Sequence, residues 1–209
     1  ASGPAKDENV AVALKLIEEA GREGADLVVL PEYFTYLGPE DRYREVAESV
    51  DGPTLSRVGA LAAKHGIVVL AGSLVEPSPH AGKFFNTSVL FDRDGTRRAV
   101  YRKMHLFDID VPGEVSDQES AFIEAGERLI IAVLPEFTAG LSICFDLRFP
   151  ELYRELAAAG AQVLFVPSAF AYATGRVHWE VLLRARAIEN HAYVVAAGQQ
   201  GEASGHPMW

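Results

Sequence analysis

The stretch Gly-Leu-Ser-Ile-Cys-Phe-Asp-Leu-Arg-Phe-Pro-Glu, residues 140–151, predicts a strand, a sharp turn and the start of a helix. Its apolar beginning is typical of a short buried strand, which leads into Cys144, the only cysteine of the chain. Pro150 suits the first position of a helix, where its missing N–H leaves no bond unmade. Cys144 therefore lies at a strand-to-helix turn, where free helix amides attract anions and favour a thiolate. A lone cysteine is as often a small buried apolar residue, so the turn alone leaves both interpretations open.

Strands alternate with helices on either side of this turn. Uninterrupted apolar runs predict buried strands at residues 27–30, 67–71, 129–134, 162–166 and 192–197. Helical spacing predicts helices at residues 10–20, 55–64 and 178–190, the last with Val181, Leu182, Ala185 and Ile188 turned inward. The pattern predicts one mixed α/β domain over residues 1–209, with helices packed against a sheet.

The segments between these elements are of two kinds. Asp92-Arg93-Asp94-Gly95 separates two strand-like segments, 86–91 and 96–101, and predicts a hairpin whose second arm leads to Lys103. Residues 108–126 and 198–209 show little periodicity, so we expect loops there.

Composition excludes several classes of partner. Apolar residues make up 49% of the 209 residues and charged residues 23%, which is typical of a globular protein. The net charge of −10 argues against binding to nucleic acid or to an anionic membrane surface. A single cysteine forms no internal disulfide, and no apolar run approaches membrane-spanning length. We therefore expect a soluble, cytoplasmic protein.

Three polar residues lie at the ends of three separate segments that are predicted to be buried: Glu32, Lys103 and Cys144. Side chains at the carboxyl ends of strands in open α/β sheets converge on one crevice. Taken singly, these residues could be a turn residue, a solvated strand end and a core residue. Together they supply a base, a cation for an oxyanion and a nucleophile, which is what amide hydrolysis by a thiol requires.

Three segments resemble the signature segments of the nitrilase, or carbon–nitrogen hydrolase, superfamily, and they occur in that family's order. They are Leu-Pro-Glu-Tyr-Phe (30–34), Tyr-Arg-Lys-Met-His-Leu-Phe-Asp (101–108) and residues 140–151. The resemblance implies that Glu32 is the general base, Lys103 the oxyanion-binding lysine and Cys144 the nucleophile. It also implies that Glu119, in Asp-Gln-Glu-Ser, orients the lysine and the substrate amide. Its alternative role is that of a solvated loop acid.

The resemblance also carries expectations about architecture. It implies a four-layer α-β-β-α sandwich formed on dimerisation, hence a homodimer or higher homo-oligomer, and no metal or organic cofactor. The family has a first strand and last strands that this chain is expected to lack at its two termini. Because lost edge strands expose apolar faces and unpaired backbone groups, we expect the 209-residue chain alone to be unstable or aggregated.

Two further segments, 167–170 and 178–190, resemble the Nit branch of the superfamily. That branch implies a linear amide substrate, such as deaminated glutathione or a 2-oxo acid amide, hydrolysed through a cysteine thioester with release of ammonia. The oxyanion would also meet the backbone N–H of Phe145. Such substrates are anionic, so a cation must hold their carboxylate, and Arg148 and Arg176 are candidates. Arg148 could instead pair with a neighbouring acid.

Other interpretations stay open at this point. A Cys–His hydrolase would use His105 or His178 as the base. His105, Asp108 and Asp110 contain ligand types that suit a metal, but their spacing matches no ligand set, so no metal site is predicted. Within the superfamily, an omega-amidase, an N-carbamoyl amino acid hydrolase or a nitrilase remains possible. A catalytically silent fragment, acting as an interaction module, is the alternative outside enzymes.

Overall fold

Two four-stranded sheets form the centre of the protein, in a computed structural model that describes residues 1–113, 115–203 and 206–209. The first sheet contains β1 (Leu27–Val29), β2 (Val68–Pro77), β3 (Phe84–Phe91) and β4 (Arg97–Arg102), in that order. The second contains β7 (Ile131–Val133), β8 (Thr138–Leu141), β9 (Val163–Ser168) and β10 (Tyr193–Gly198), also in chain order. The hairpin predicted around Asp92–Gly95 is confirmed as β3 and β4.

Both sheets mix parallel and antiparallel pairs. In the first, β1 runs parallel to β2, while β3 is antiparallel to both β2 and β4. In the second, β8, β9 and β10 are parallel and β7 is antiparallel to β8. The inner faces of the two sheets share one apolar core, contributed by Val68, Leu70, Leu90, Tyr101, Leu141, Leu164 and Phe165. Full burial of one such aliphatic side chain stabilises the fold by about 1.5–3 kcal/mol.

Helices cover the outer face of each sheet. They are α1 (Lys6–Arg22), α2 (Tyr43–Val46), α3 (Pro53–His65), α4 (Pro150–Ala158) and α5 (Tyr172–Asn190). Helices α1 and α3 bury Ile17 and Val58 against Val69 and Val89 of the first sheet. Helices α4 and α5 contact the second sheet. None of the helices in the described part of the chain is long and apolar enough to cross a membrane.

The four layers α-β-β-α are thus complete within a single chain. The expectation that dimerisation forms them is wrong. The reason is that each sheet has one face against the other sheet and one face against its own helices, so a single copy already covers both apolar faces of both sheets.

The two segments expected to be loops contain short hairpins instead. Strands β5 (Asp108–Val111) and β6 (Val115–Gln118) pair antiparallel, followed by a 3₁₀ turn at Glu119–Ala121. Strands β11 (Gly201–Ala203) and β12 (His206–Met208) also pair antiparallel. Both pairs are three or four residues long and rich in polar residues. Strands this short and polar have too few residues for an alternation of apolar and polar side chains to stand out, so the sequence gives little sign of them.

Helix α5 is rotated relative to the prediction. Leu182 and Ala185 are half-buried, but Val181 and Ile188 are 66% and 75% exposed, so their inward placement is wrong. The buried position between them belongs to Arg186. Its guanidinium donates through Nε and Nη2 to the carbonyl of Leu147, at 3.1 and 2.7 Å. The buried side of α5 is therefore the side that carries Arg186, and not the side that carries Val181 and Ile188.

Candidate active site

Glu32 follows β1 and is held by a bulge in β2. The register of β2 against β3 shifts between Ala71 and Leu74, and Gly72 lies inside this shift. A Cβ at Gly72 would collide with the carbonyl oxygens of Leu30 and Pro31, so only glycine permits this close approach. The next residue of the bulge, Ser73, accepts a hydrogen bond from the backbone N–H of Tyr33 at 2.8 Å.

Tyr33 has a left-handed backbone, with φ of 55°. Such a conformation in a residue other than glycine stores strain on the order of 1–3 kcal/mol, and such strain clusters at functional sites. The turn leaves the carboxyl group of Glu32 only 1% exposed and directed into the molecule.

Lys103 follows β4 and is fixed on two sides through its backbone. Its N–H donates to the carbonyl of Asn86 on β3 at 2.9 Å, and its own carbonyl accepts from Gly126 at 2.8 Å. A Cβ at Gly126 would collide with the carbonyl of Arg102, so this contact also requires glycine. The Lys103 side chain is 2% exposed and extends into the interior, although the sequence places it at a strand end.

Cys144 occupies a strained turn. It has φ of 48° and begins a 3₁₀ helix, Cys144–Arg148, that leads to α4. The buried carboxylate of Asp146 closes this turn by accepting from the N–H of Ile143 at 2.8 Å. The same carboxylate accepts from Tyr101 Oη at 2.7 Å, and it contacts both the backbone N–H and Nδ1 of His105. Asp146 thereby ties the cysteine turn to the segment that carries the lysine.

The four residues predicted to act together converge in one cluster. Lys103 Nζ donates to Glu32 Oε1 at 3.0 Å and to Glu119 Oε2 at 2.8 Å. Cys144 lies next to this cluster, and both Glu32 and Lys103 act electrostatically on its thiol. Glu32 Oε2 also accepts from the backbone N–H of Ala169, at 2.7 Å. Glu119 is therefore not a solvated loop acid, since its side chain is only 10% exposed and contacts the lysine directly.

Electrostatics in this cluster keep the lysine and Glu119 charged. Burial disfavours the ammonium of Lys103, but the charges of Glu119 and Glu32 outweigh it and raise the lysine pKa well above its usual value. Burial would raise the pKa of Glu119. The charge and hydrogen bond of Lys103, with further donors from Phe107 N–H and Asn86, lower that pKa instead. An ammonium ion thus lies against a carboxylate in a water-poor site.

The cysteine, by contrast, rests as a thiol. Burial and the negative charge of Glu32 raise the pKa of Cys144 well above its usual value, and the charge of Lys103 only partly offsets this. The expectation that the turn itself favours a thiolate is wrong. Cys144 precedes the start of α4 at Pro150 by six positions, and a neighbouring carboxylate opposes ionisation more strongly than amide dipoles favour it. A base must therefore take the proton when the thiol reacts.

A cavity of about 910 Å³ opens onto these residues. Glu32, Lys103, Glu119 and Cys144 all line it, as does Phe145. Its outer walls are mainly aromatic, formed by Tyr33, Tyr43, Phe107, Phe122, Phe170 and Tyr172. Apolar walls around a few convergent polar groups are typical of a small-molecule site.

The two candidate arginines lie in different surroundings. Arg148 stands 5.4 Å from the ring centres of both Phe145 and Phe170, which line the cavity. Its Nη1 contacts His178 Nδ1 at 3.0 Å, while Nε and Nη2 are buried without a partner in the described part of the chain. The expected alternative, pairing with a neighbouring acid, is absent among the described residues. Arg176 is exposed on α5 and, like Arg148, is not among the described residues that line the cavity.

Neither histidine offered as an alternative base contacts the thiol. His105 stacks on Phe149 with ring centres 3.7 Å apart and is bonded to Asp146, while His178 contacts Arg148. Glu32, by contrast, acts electrostatically on the thiol and lines the same cavity. In the described ranges, no group of three histidine, cysteine or acidic side chains could hold a metal ion.

Two contributors to the site have no counterpart among the predicted residues. Asn86 Nδ2 donates to Glu32 Oε1 at 2.8 Å and to Glu119 Oε1 at 3.2 Å. Tyr33 Oη donates to Glu119 Oε1 at 3.0 Å, and the negative surroundings and burial raise the tyrosine pKa well above its usual value. The only signal in the sequence was an asparagine at the start of the predicted strand 86–91, where a buried amide must find partners.

Comparison with known proteins agrees with this site. A model of the carbon-nitrogen hydrolase family matches residues 3–208. A deaminated glutathione amidase from Synechocystis is 44% identical over 203 residues, 96% of this chain and 75% of the relative. An omega-amidase NIT2 from Xenopus tropicalis is 40% identical over 207 residues, 99% of this chain and 74% of the relative.

A solved structure extends the agreement to three dimensions. It is a variant of an amidase from Nesterenkonia, in which acrylamide has added to the active-site cysteine. It matches with a TM-score of 0.84 at 28% identity, over 99% of this chain and 78% of that one. The family resemblance and the α-β-β-α fold are confirmed. The alternative hypothesis of a catalytically silent interaction module is not supported. This chain belongs to the carbon–nitrogen hydrolase family and is an amide-hydrolysing enzyme.

Proposed function

We propose that Cys144 attacks the carbonyl carbon of a linear amide while Glu32 takes the thiol proton. The observation that carries this proposal is the convergence on one cavity of Cys144 and of the Glu32 carboxylate, which contacts Lys103. The carbonyl oxygen becomes an oxyanion, stabilised by the Lys103 ammonium and by the backbone N–H of Phe145 in the first turn of the 3₁₀ helix. Glu119 orients Lys103 and the substrate amide.

The intermediate then breaks down in two stages. Glu32 gives its proton to the amide nitrogen, the C–N bond breaks, ammonia leaves, and a thioester remains on Cys144. A water molecule then loses a proton to Glu32 and attacks the thioester carbonyl. The C–S bond breaks, the proton returns to sulfur, and a carboxylic acid is released. One carboxylate thus acts twice as base and twice as acid, with no redox change.

We propose deaminated glutathione as the substrate type, with a shorter 2-oxo acid amide such as 2-oxoglutaramate as the alternative. Relatives of both names match over nearly the whole chain, so their identities alone do not decide between them. The cavity of about 910 Å³ favours the longer, tripeptide-like acyl group, because a single short acid would leave most of it empty.

Arg148 is the proposed anchor for a carboxylate of the substrate. Burial lowers its pKa, yet a guanidinium stays charged at neutral pH. Two of its buried nitrogens have no acceptor among the described residues, and a bidentate substrate carboxylate would supply one. Arg176, the other candidate, remains a weaker one because it is exposed on α5.

A second copy of the chain is the proposed partner of α5. Val177, Val181 and Ile188 lie on one side of this helix and are 49%, 66% and 75% exposed. Such a row of exposed apolar side chains is typical of a self-association surface. The resemblance to a family of homo-oligomers adds support.

The central experiment measures ammonia release from deaminated glutathione, 2-oxoglutaramate, an N-carbamoyl amino acid and a simple nitrile. We expect the highest kcat/KM for deaminated glutathione. In parallel, acrylamide should add to Cys144, the only cysteine, and Glu32→Gln should slow this addition. Labelling that is unaffected by Glu32→Gln, or no ammonia from any compound, would overturn the proposed chemistry.

A further inference from the structure

Asn86 lies between the two glutamates of the active site and is fully buried on β3. One side-chain nitrogen, Nδ2, donates to Glu32 Oε1 at 2.8 Å and to Glu119 Oε1 at 3.2 Å. Lys103 Nζ bridges the same two carboxylates from another direction, at 3.0 and 2.8 Å. The two acids are therefore joined by two bridging donors, of which only one carries a charge.

The charges explain why a second donor is needed. Two buried carboxylates face one ammonium, so the cluster would hold one negative charge in excess when both acids are ionised. Two carboxylates that share a site repel each other, and one of them then tends to take up a proton. A neutral amide that donates to both favours their ionised forms and adds no charge. A second lysine would instead compete with Lys103 for the oxyanion.

The orientation of the amide follows from the same contacts. Asn86 Oδ1 is buried without a hydrogen-bond partner in the described part of the chain. If the amide were turned over, its oxygen would face two carboxylates, which is electrostatically worse than leaving the oxygen unpaired. An unpaired buried oxygen is unfavourable by itself. The hydrogen bonds from Nδ2 to the two carboxylates must therefore outweigh this cost.

The Asn86 backbone also takes part, because its carbonyl accepts from the N–H of Lys103 at 2.9 Å. One residue therefore contacts Glu32, Glu119 and Lys103. We propose that Asn86 is a positioning residue of the reaction, whose amide keeps Glu32 and Glu119 side by side as carboxylates, ready to accept a proton and to orient Lys103. This inference rests on the proposed function of the same site.

The test compares Asn86→Ala with Ser88→Ala, a control on the same strand whose buried hydroxyl has no partner among the described residues. We expect Asn86→Ala to lower kcat for ammonia release by about 10- to 100-fold with little change in KM, the equivalent of one hydrogen bond to a charged group. The acidic limb of the pH–rate profile should move to higher pH, because Glu119 loses a donor that lowers its pKa.

Acrylamide labelling of Cys144 provides a second readout that needs no amide turnover. Its rate should fall and its acidic limb should shift in Asn86→Ala, while Ser88→Ala behaves as wild type. A wild-type rate in Asn86→Ala, or a lower rate with an unmoved acidic limb, would overturn the inference. If Asn86→Ala does not fold, Asn86→Ser carries the same test. If the wild type is labelled normally but releases no ammonia from deaminated glutathione, while it does from another compound of the panel, only the proposed substrate is wrong.

Discussion

At the scale of single residues, Lys103 shows how burial converts an ordinary side chain into a reactive one. Its ammonium is almost fully enclosed, yet it stays charged because two carboxylates contact it. The two contacts fix the position of the ammonium group before any substrate binds. An oxyanion that forms beside it gains electrostatic stabilisation without further rearrangement of the site.

Substituting Lys103→Met should abolish ammonia release and lower the free energy of unfolding by about 3–5 kcal/mol, because two buried carboxylates lose their cation. His105→Ala should retain measurable turnover, since this histidine contacts Asp146 and Phe149 and not the thiol. Ammonia release and urea unfolding measure the two effects. Activity that survives in Lys103→Met and is lost in His105→Ala would favour a Cys–His enzyme.

Arg148→Met should raise KM for a substrate with a free carboxylate by about tenfold or more, the equivalent of losing one charge-assisted hydrogen bond. The KM for a neutral amide should change little. Arg184→Met, on the exposed side of α5 with Glu180 as its partner, is the control. The comparison requires steady-state kinetics on the two substrates. Equal effects on both KM values would show that Arg148 supports the turn and does not bind the carboxylate.

At the scale of elements, each reactive side chain depends on a backbone contact made by another part of the chain. The bulge of β2 holds the turn after β1, Gly126 holds the end of β4, and Arg186 of α5 holds the cysteine turn. Each of these three turns is thus fixed by a hydrogen bond between its main chain and another segment, through the side chain of Ser73 or Arg186 or through the main chain of Gly126. Small changes in these contacts should displace the side chains of the site and lower its reactivity.

Gly72→Ala should displace the turn that carries Glu32, because the new Cβ collides with the carbonyls of Leu30 and Pro31. We expect the free energy of unfolding to fall by about 1–3 kcal/mol and acrylamide labelling of Cys144 to slow. Gly3→Ala, where a Cβ meets open space, is the control. Thermal melts and labelling rates that match wild type would contradict the assigned role of the bulge.

The contact between α1 and α3 should be sensitive to acid through Glu18. Hydrogen bonds from His65 and then Lys64 lower the pKa of Glu18 from 4.5 to about 2. A lowered pKa stabilises the folded state above pH 4.5, and this contribution disappears as the pH falls towards 2.

The difference in Tm between wild type and Glu18→Gln should therefore be largest above pH 4.5 and should close near pH 2. Glu8→Gln, an exposed acid on the same helix, serves as the control and should show no such trend. Thermal melts across this pH range make the measurement. A Tm difference that is independent of pH would show that the carboxylate charge of Glu18 does not hold the helices together.

At the scale of the whole molecule, the outward side of α5 carries three of the large apolar side chains that are exposed in the described part of the chain, Val177, Val181 and Ile188. The same helix also fixes the turn that contains Cys144, because Arg186 donates to the carbonyl of Leu147. Helix α5 would therefore link association at this surface to the position of Cys144. A partner that holds α5 in place would also steady Cys144.

Val181→Glu combined with Ile188→Glu should convert a dimer into a monomer, because two charges would be buried at the contact. Val133→Glu, at a residue on β7 that is 74% exposed, is the control and should remain dimeric. Sedimentation velocity distinguishes the species. A monomeric wild type, or a dimer that tolerates both charges, would exclude α5 as the interface.

Much of this molecule could be predicted from local sequence patterns. The buried strands and the hairpin at Asp92–Gly95 follow from apolar runs and turn residues, because these features depend on neighbours in the chain. The reactive residues Glu32, Lys103 and Cys144 could be identified because each lies at the end of a segment predicted to be buried, within a recognisable motif. The family and its fold followed from those motifs, and the comparisons confirm both.

The remaining features depended on contacts between distant segments. The raised pKa of Cys144 arises from burial and from the charge of Glu32, which lies 112 positions earlier and is brought beside it by the sheets. The exposure of Val181 and Ile188 arises because Arg186 satisfies a carbonyl of the cysteine turn.

Local motifs were enough to name the residues that we propose for the chemistry, since residue identity and motif are local. Their electrostatic surroundings and their supports, including the position of Asn86 between the two acids, become visible only in the folded chain. The physical reason is that pKa values and hydrogen-bond partners depend on burial and on groups from other segments, which local spacing does not encode.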